Sequence, residues 1–438
     1  MMSTHERKVE RIARQLRERT GTGPVSLKKK AVSHEVPKPG DGRRLDEKID
    51  VSDLDEILLV DPGNRTCVAE PGVTFVDLVK ATLEYGLVPF TVPELKTITV
   101  GGAVAGCSIE SMSYKYGGFH DSCLEYEIVT ARGDVLVCTP DNEHSLLFQM
   151  AHGTFGTLGI LTRLRFKLLP AKPFVKVDYE KYGNLDEYGA AIRRHYETGD
   201  VDFMDGIIHS PTEYVLSVAN FVDEAPYRHS YEWLRVYYKS TARRKEDYMT
   251  TTDYFFRYDK GVTDVIPKAF WARLLFGKFI NSSRTLRIAN QVSRLNLPSL
   301  IPVTVDTFIP FSRIGEFMEW YEAEVNHYPL WCVPYKGRCY EWINRDLFDM
   351  NGDELFLDIA IYGMSRRDGK NYYRMLEEEL MEIGGIKTLI SNNYYTEEEF
   401  WGTWNKENYD KAKLVADPDN VFRNLYTKTC RTTRGLGG

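Results

Sequence analysis

Thr99 to Gly117 reads TVGGAVAGCSIESMSYKYG, and GTFGTLGILTRLRF follows from Gly153 to Phe166. The glycine pair Gly101 and Gly102 comes directly after a β-branched run, Thr97, Ile98, Thr99 and Val100. A strand ending in two glycines lets backbone approach a ligand closely, because no Cβ intervenes. Gly106, Ser108 and Ser111 extend a small, hydroxyl-bearing surface that offers N–H and O–H donors to anionic oxygens. Gly153, Gly156 and Gly159 recur three apart and lead into an alternating strand from Ile160 to Leu168. Neither segment is a G-x-G-x-x-G fingerprint or a Walker loop. On spacing alone the glycines serve equally well as turns of an α/β domain.

Other chemistry is thinner. The seven cysteines, at 67, 107, 123, 138, 332, 339 and 430, form no C-x-x-C, and no secretory signal precedes them. Reduced thiols in a cytoplasmic protein are expected, with no disulfide framework and no metal site. Net charge is −7, which argues against a nucleic-acid partner. Aromatic residues make up 13 %, with 27 Tyr, a content suited to half-buried packing or to an apolar pocket with polar handles.

The elements that must position these residues follow from periodicity. The N-terminal stretch is charged and helical, with Val9, Ile12, Ala13 and Leu16 on one face. It has no signal-peptide core, and no run of about 18 apolar residues occurs anywhere. VSLKKK, KIDVS, ILLVD and TCVAEPG read as short strands. Phe75 to Tyr85 reads as a helix stopped by Gly86. LEYEIVTARGDVLVCTP predicts a hairpin turning at Arg132-Gly133-Asp134. Beyond Pro170 and Pro173, six strand-like runs from VKVDYEKY to ELFLDIAIYG alternate with helices such as LDEYGAAIRRHYE and NYYRMLEEELMEI, an α+β pattern.

One stretch inverts the charge. Val265 to Val305 holds no Asp or Glu but six cations, at 268, 273, 278, 284, 287 and 294, interleaved with Phe270, Trp271, Phe276 and Phe279. It reads as a membrane-surface helix or as a core helix whose cationic stems snorkel.

Taken in order, these segments resemble the vanillyl-alcohol-oxidase-type (PCMH-type) flavoproteins, in the branch of the delta-24-sterol reductases. THERKVERIARQL, VPELKTITVGG, CSIES, KYG at Lys115 to Gly117, CTPDNEHSLLF, GTLGILT, HYPLWCVPY, ELFLDIAIYG, YYTEEEFW and LYTK stand in that family's order. The chain is similarly close to actinobacterial reductases that saturate a methylene branch on fatty-acyl chains. The resemblance implies an α+β fold: a two-lobed FAD-binding domain over 1–172, a cap or substrate domain over 173–395, and a segment over 396–438 returning to the flavin domain.

It also implies that FAD is held without a covalent bond, although His34 and Cys107 lie near regions that supply such a link in some relatives. Expected cofactor contacts are Thr99, Val100, Gly101, Gly102, Gly106, Cys107, Ser108, Glu110, Ser111, Gly117, Gly156, Gly159 and Ile160. Tyr426 and Lys428 match the family's terminal Y-x-K and are expected near the flavin, Lys428 stabilising negative charge. Tyr394 is a further candidate proton donor. The implied activity is reduction of a carbon–carbon double bond in a lipid, with NADPH visiting as donor. Oxidation of an alcohol carbon and a non-catalytic flavin- or lipid-binding role are the alternatives. A lipid substrate tilts 265–305 towards peripheral membrane contact. The animal and plant sterol reductases carry an N-terminal hydrophobic anchor ahead of the matching segment, so their membrane residence is not expected to transfer directly.

Overall fold

The computed structural model describes residues 2–36, 38, 40–231, 236–259, 302–344, 346, 355–365 and 369–437. The acid-free stretch therefore lies almost wholly outside the described residues.

The first helix, Thr4–Arg17, starts at a Ser3/Glu6 capping box and buries Val9, Ile12, Ala13 and Leu16. These four meet Ile49, Val129 and Ile160 in one apolar cluster. β1 (Val25–Lys28) and β2 (Glu47–Asp50) form a parallel pair. A mixed-length antiparallel sheet follows, built from β3 (Ile57–Asp61), β4 (Thr66–Ala69), β5 (Leu87–Pro89), β6 (Cys123–Val129), β7 (Val135–Cys138) and β8 (Ile160–Pro170). Its order is β3-β4-β8-β6-β7, with β5 on the far part of β8. The expected hairpin is β6–β7, and Gly133 supplies its positive φ of 80°. Helix Phe75–Leu83 is capped by Thr74 and closes below Gly86, at φ 67°.

Beyond Pro173 the chain builds a second sheet from β9 (Phe174–Tyr182), β10 (Phe203–Ser210), β11 (Glu213–Val222), β12 (Glu246–Thr250), β13 (Val303–Pro310), β14 (Leu330–Lys336), β15 (Leu355–Met364) and β16 (Ile386–Lys387). The order is β12-β9-β11-β10-β14-β15-β13-β16. Side chains alternate between faces with period two. One face is apolar: Met204, Ile208, Val305, Leu330, Cys332, Leu357, Ile359 and Ile361 join Tyr188, Ile192, Phe317, Leu376 and Leu380. Those partners come from helices Leu185–Thr198, Ile314–Glu324 and Tyr372–Ile383. The same alternation puts Asp205, Asp306, Asp358 and Tyr362 on the opposite face.

The C-terminal part runs back to the first sheet. Ala131 N–H donates to Ala416 O over 2.8 Å, and Val25 N–H to Val421 O over 2.9 Å. Buried Lys413 donates to Thr157 O (2.8 Å) and to Phe422 O (2.7 Å).

Candidate functional site

The first glycine segment is not a strand end. Val100–Ala105 is a six-residue helix, and Thr99 caps it by accepting from Gly102 N–H. Thr99 Oγ1 stands where a strand residue would have used its backbone, so the β-branched run gives way to a helical turn. The two glycines then do different things. A Cβ on Gly101 would lie 2.5 Å from Pro71 Cβ and 3.0 Å from Pro71 O, so this glycine is demanded by helix-to-loop packing. Gly102 is exposed, and a Cβ there would meet only Thr99 Oγ1, at 3.1 Å. Gly102 is thus the open floor of the segment.

The second glycine segment lies beside the first. Gly153 N–H donates to Val104 O (3.2 Å) and Phe155 N–H to Ala105 O (3.1 Å). Cys107 takes a positive φ of 53°, and its Sγ borders Gly153. Gly106 closes the helix against Gly102 O. Gly156 turns at φ 69°, where a Cβ would meet only Gly159 O at 3.8 Å, whereas a Cβ on Gly159 would lie 2.7 Å from Ile128 Cγ2. Val100 and Ile160 are core residues, 0 % and 1 % exposed, and present backbone only. Gly117 makes room for the Asp121 carboxylate. Ser108 ties its N–H to Ala103 O and its carbonyl to Phe119 N–H.

A third loop and the C-terminal segment close this cradle. His34 Nε2 meets Thr97 Oγ1 at 3.1 Å. Lys428 Nζ donates to Phe155 O over 2.6 Å. Arg43 pairs with Glu35 (2.8 Å) and Asp41 (2.7 Å). Lys38 is 3 % exposed and its Nζ has no hydrogen-bond partner among the described residues. Burial pushes Lys38 down to about 8, with Arg43 adding repulsion. Burial, then Arg43, push Lys428 down to about 7. Two buried lysines, Lys38 and Lys428, that form no ion pair among the described residues, with an open glycine floor in the same cradle, fit a dinucleotide carrying a diphosphate such as FAD.

The three catalytic candidates have different partners. Lys428 belongs to the cradle. Tyr426 donates to Tyr395 O (3.4 Å) and lays its ring on Phe400, in the core. Tyr394 stacks on Tyr373 and lies under Arg434, whose guanidinium is 5.2 Å from its ring.

Glu110 joins the cradle to the second sheet. Its Oε2 accepts from Ser111 N–H and Oγ–H, and Ser113 Oγ receives its N–H over 2.9 Å. Met204 N–H, at β10, donates to Ser111 O over 2.7 Å. Glu110 Oε1 lies 3.0 Å from Arg257, which donates to Asp205 Oδ1 over 2.9 Å. Asp205 Oδ2 also accepts from Tyr258 (2.6 Å) and Trp331 (3.0 Å). Burial pushes Glu110 up to about 6 against the pull of Arg257. Ile109 of the same loop touches both apolar patches that flank this face, Trp331 with Val333 and Ala360, and Tyr335 with Phe356.

Arg257, Asp205, Asp306, Asp358, Tyr362 and Glu94 were not among the expected site residues. A signal existed: each aspartate interrupts an apolar strand, FMDGII, TVDTF and LFLDIAI. A lone carboxylate there must be paired or kept neutral, which marks function as often as structure.

A glycine-floored, cation-lined cradle joined to a polar sheet face has the layout an FAD-dependent oxidoreductase needs. Residues 39–139 match the family described as FAD binding domain. The chain is similar to Delta(24)-sterol reductase of Homo sapiens, 27 % identical over 87 % of this chain and 77 % of the relative. It is also similar to the Delta(24)-sterol reductase homolog dhcr-24 of Caenorhabditis elegans, 25 % identical over 99 % of this chain and 89 % of the relative. Cytokinin dehydrogenase 9 of Oryza sativa subsp. japonica is 36 % identical, over 27 % of this chain and 22 % of its own length. Among the described residues no helix is long and apolar enough to cross a membrane.

Proposed function

We propose that the chain reduces a carbon–carbon double bond in a lipid, either a sterol side chain or a methylene-branched fatty-acyl chain, with NADPH as transient donor. The observation that carries this reading is the reach of the likeness to Delta(24)-sterol reductases. It covers 87 % of the chain and so extends beyond the FAD-binding segment into the polar sheet face. The cytokinin dehydrogenase likeness, over 27 % of the chain, supports FAD binding alone.

Bound FAD supplies the hydride chemistry. The chain's own groups bind, orient and exclude water. Gly102 and the backbone of 99–108 and 153–159 form the floor. Lys428, fixed on Phe155 O, sets a positive charge at the junction of both glycine segments and offsets negative charge on the cofactor. His34 is engaged with Thr97 and pushed by burial down to about 4, and burial drives the Cys107 thiol well up. A thiol held protonated is a poor nucleophile, which argues against a flavin link through Cys107. In this reading the acid-free stretch 265–305, of which 265–301 lie outside the described residues, docks the enzyme on anionic membrane. Vesicle sedimentation that resists exchange of Lys268, Arg273 and Lys278 for Glu removes that element.

The test is direct. Purified FAD-loaded protein is reduced anaerobically with NADPH, then mixed with a sterol bearing a side-chain double bond or with a methylene-branched acyl lipid. Flavin reoxidation with a saturated product supports the reading and tells the two lipids apart. A flavin that stays reduced with both lipids overturns it.

A further inference from the structure

The polar face of the second sheet carries two carboxyl groups, Asp306 and Asp358, that form no ion pair among the described residues. Register fixes their positions: Asp306 on β13 stands opposite Ala360 on β15, and Asp358 and Tyr362 flank Ala360 on the same strand face. Asp306 is therefore a diagonal neighbour of both, about 7–8 Å away backbone to backbone. Tyr362 hydroxyl donates to Asp306 Oδ1 over 2.5 Å. Asp358 is 2 % exposed, and its Oδ1 has no hydrogen-bond partner among the described residues. The nearby cation, Arg257, is committed to Asp205 and Glu110. Small Ala360 stands opposite Asp306 and next to Asp358 on this face, in one apolar patch with Trp331 and Val333. Tyr362, which holds Asp306, is itself 42 % exposed.

Two like-charged carboxyls in a buried, apolar setting cannot both ionise at neutral pH. A sheet face that keeps a proton without spending a cation on it is a proton store, and it lies on the side of the sheet that faces the flavin-side loop. Resting on the functional reading above, we propose that the Asp306–Asp358 pair holds the proton added to the substrate double bond, with Tyr362 fixing Asp306. Burial, and the charge of Asp306, hold Asp358 well above the carboxylate range. Burial pushes Asp306 up to about 6 while Tyr362 opposes it. Glu94, on the loop leading to Thr99, faces the same group of acids and is pushed by burial, then by Glu110 and Asp306, up to about 8.

The step balances. One alkene carbon receives a hydride, with its two electrons, from the reduced flavin. The other receives the pair's proton, bound by the π electrons. The alkene is reduced, the flavin is oxidised, and the pair gains one negative charge until it is reprotonated through half-buried Glu94. An unactivated double bond has no carbonyl to hold charge, so a positioned acid matters, and general acids contribute about a hundredfold or more.

The test compares the FAD-loaded parent with Asp306→Asn and Asp358→Asn, which keep shape. Infrared spectra at neutral pH should show, besides any signal of Glu94, a protonated-carboxyl stretch in the parent that Asp358→Asn loses and Asp306→Asn shifts. In rapid mixing, flavin reduction by NADPH should be unchanged, and reoxidation by the lipid alkene should slow by about a hundredfold. A parent without the band, or variants that reoxidise at the parent's rate, overturns the pair as acid while leaving the reductase reading intact. A parent that reduces no alkene overturns both.

Discussion

Arg257 lies 3.0 Å from Glu110 and 2.9 Å from Asp205, and so clamps the loop after the glycine helix to the second sheet from a position that is itself 1 % exposed. The guanidinium also donates to Tyr254 O and sits 4.0 Å from the Tyr254 ring. Removing it leaves two carboxylates buried without a cation. Arg257→Met should therefore cost about 3–5 kcal/mol of stability, measured by urea unfolding. A loss below about 1 kcal/mol would mean that Glu110 and Asp205 take up protons without harm. The triple change Arg257→Met, Glu110→Gln and Asp205→Asn should recover much of the loss, because the orphaned charges go with the cation.

The glycine pair should separate on substitution. Gly101→Val drives a side chain into Pro71, where a Cβ already falls at 2.5 Å, so the apoprotein itself should melt earlier. Overpacking of this kind costs about 1–3 kcal/mol. Gly102→Val meets only Thr99 Oγ1 and should leave the apoprotein close to parental, since Val is no poorer a helix former than Gly, yet empty it of FAD. Flavin absorbance after gel filtration and apoprotein melting together read both effects. A yellow Gly102→Val protein would take that glycine out of the cradle.

The contrast between these two glycines shows where sequence reading stops. Strands such as β8 and the helix Thr4–Arg17 were legible because their periods are strong and uninterrupted. Spacing marked Thr99–Ser111 as a ligand loop, but it did not say which glycine faces a ligand and which faces Pro71. That distinction belongs to tertiary contact. The β-branched run before the glycines reads as strand, yet Thr99 uses its hydroxyl as a helix cap, a competition that local propensity does not resolve. Tyr426 stood beside Lys428 in the terminal motif, and only the fold shows its ring turned to Phe400. The acids of the second sheet are 150 residues or more from one another in part, and their shared face emerges only from strand register.

His5 predicts an alkaline limit on stability. It lies between Glu70 (2.8 Å) and Glu127 (2.9 Å), and is 7 % exposed. Hydrogen bonds to Glu127 and then Glu70 raise it from 6.5 to about 9. The folded state thus binds this proton more tightly than the unfolded chain. Its contribution is fully present below about 6.5 and fades as pH rises through about 9. The ceiling is about 3 kcal/mol. Urea midpoints of the parent should fall across this window, and those of His5→Gln should not. Parallel profiles would mean that Lys8, which also pairs with Glu70, carries the N-terminal helix alone.

Lys428 and Lys38 predict how FAD affinity depends on pH. Without the cofactor they are pushed down to about 7 and about 8, chiefly by burial. An anion bound beside them favours their charged forms and raises both values. Binding therefore takes up protons once pH exceeds about 7, and affinity should be greatest on the acid side and weaken as pH rises through about 7 and 8. FAD fluorescence quenching across this range gives the slope. Lys428→Ala should lose the lower part of that slope, and Lys38→Ala the upper. In Lys428→Ala that is fully loaded at high FAD, reoxidation of the reduced flavin by lipid should slow about a hundredfold, which corresponds to roughly 3 kcal/mol for one positioned charge. A flat affinity profile in the parent would place the cations away from the cofactor. A loaded Lys428→Ala that turns over normally would limit Lys428 to binding.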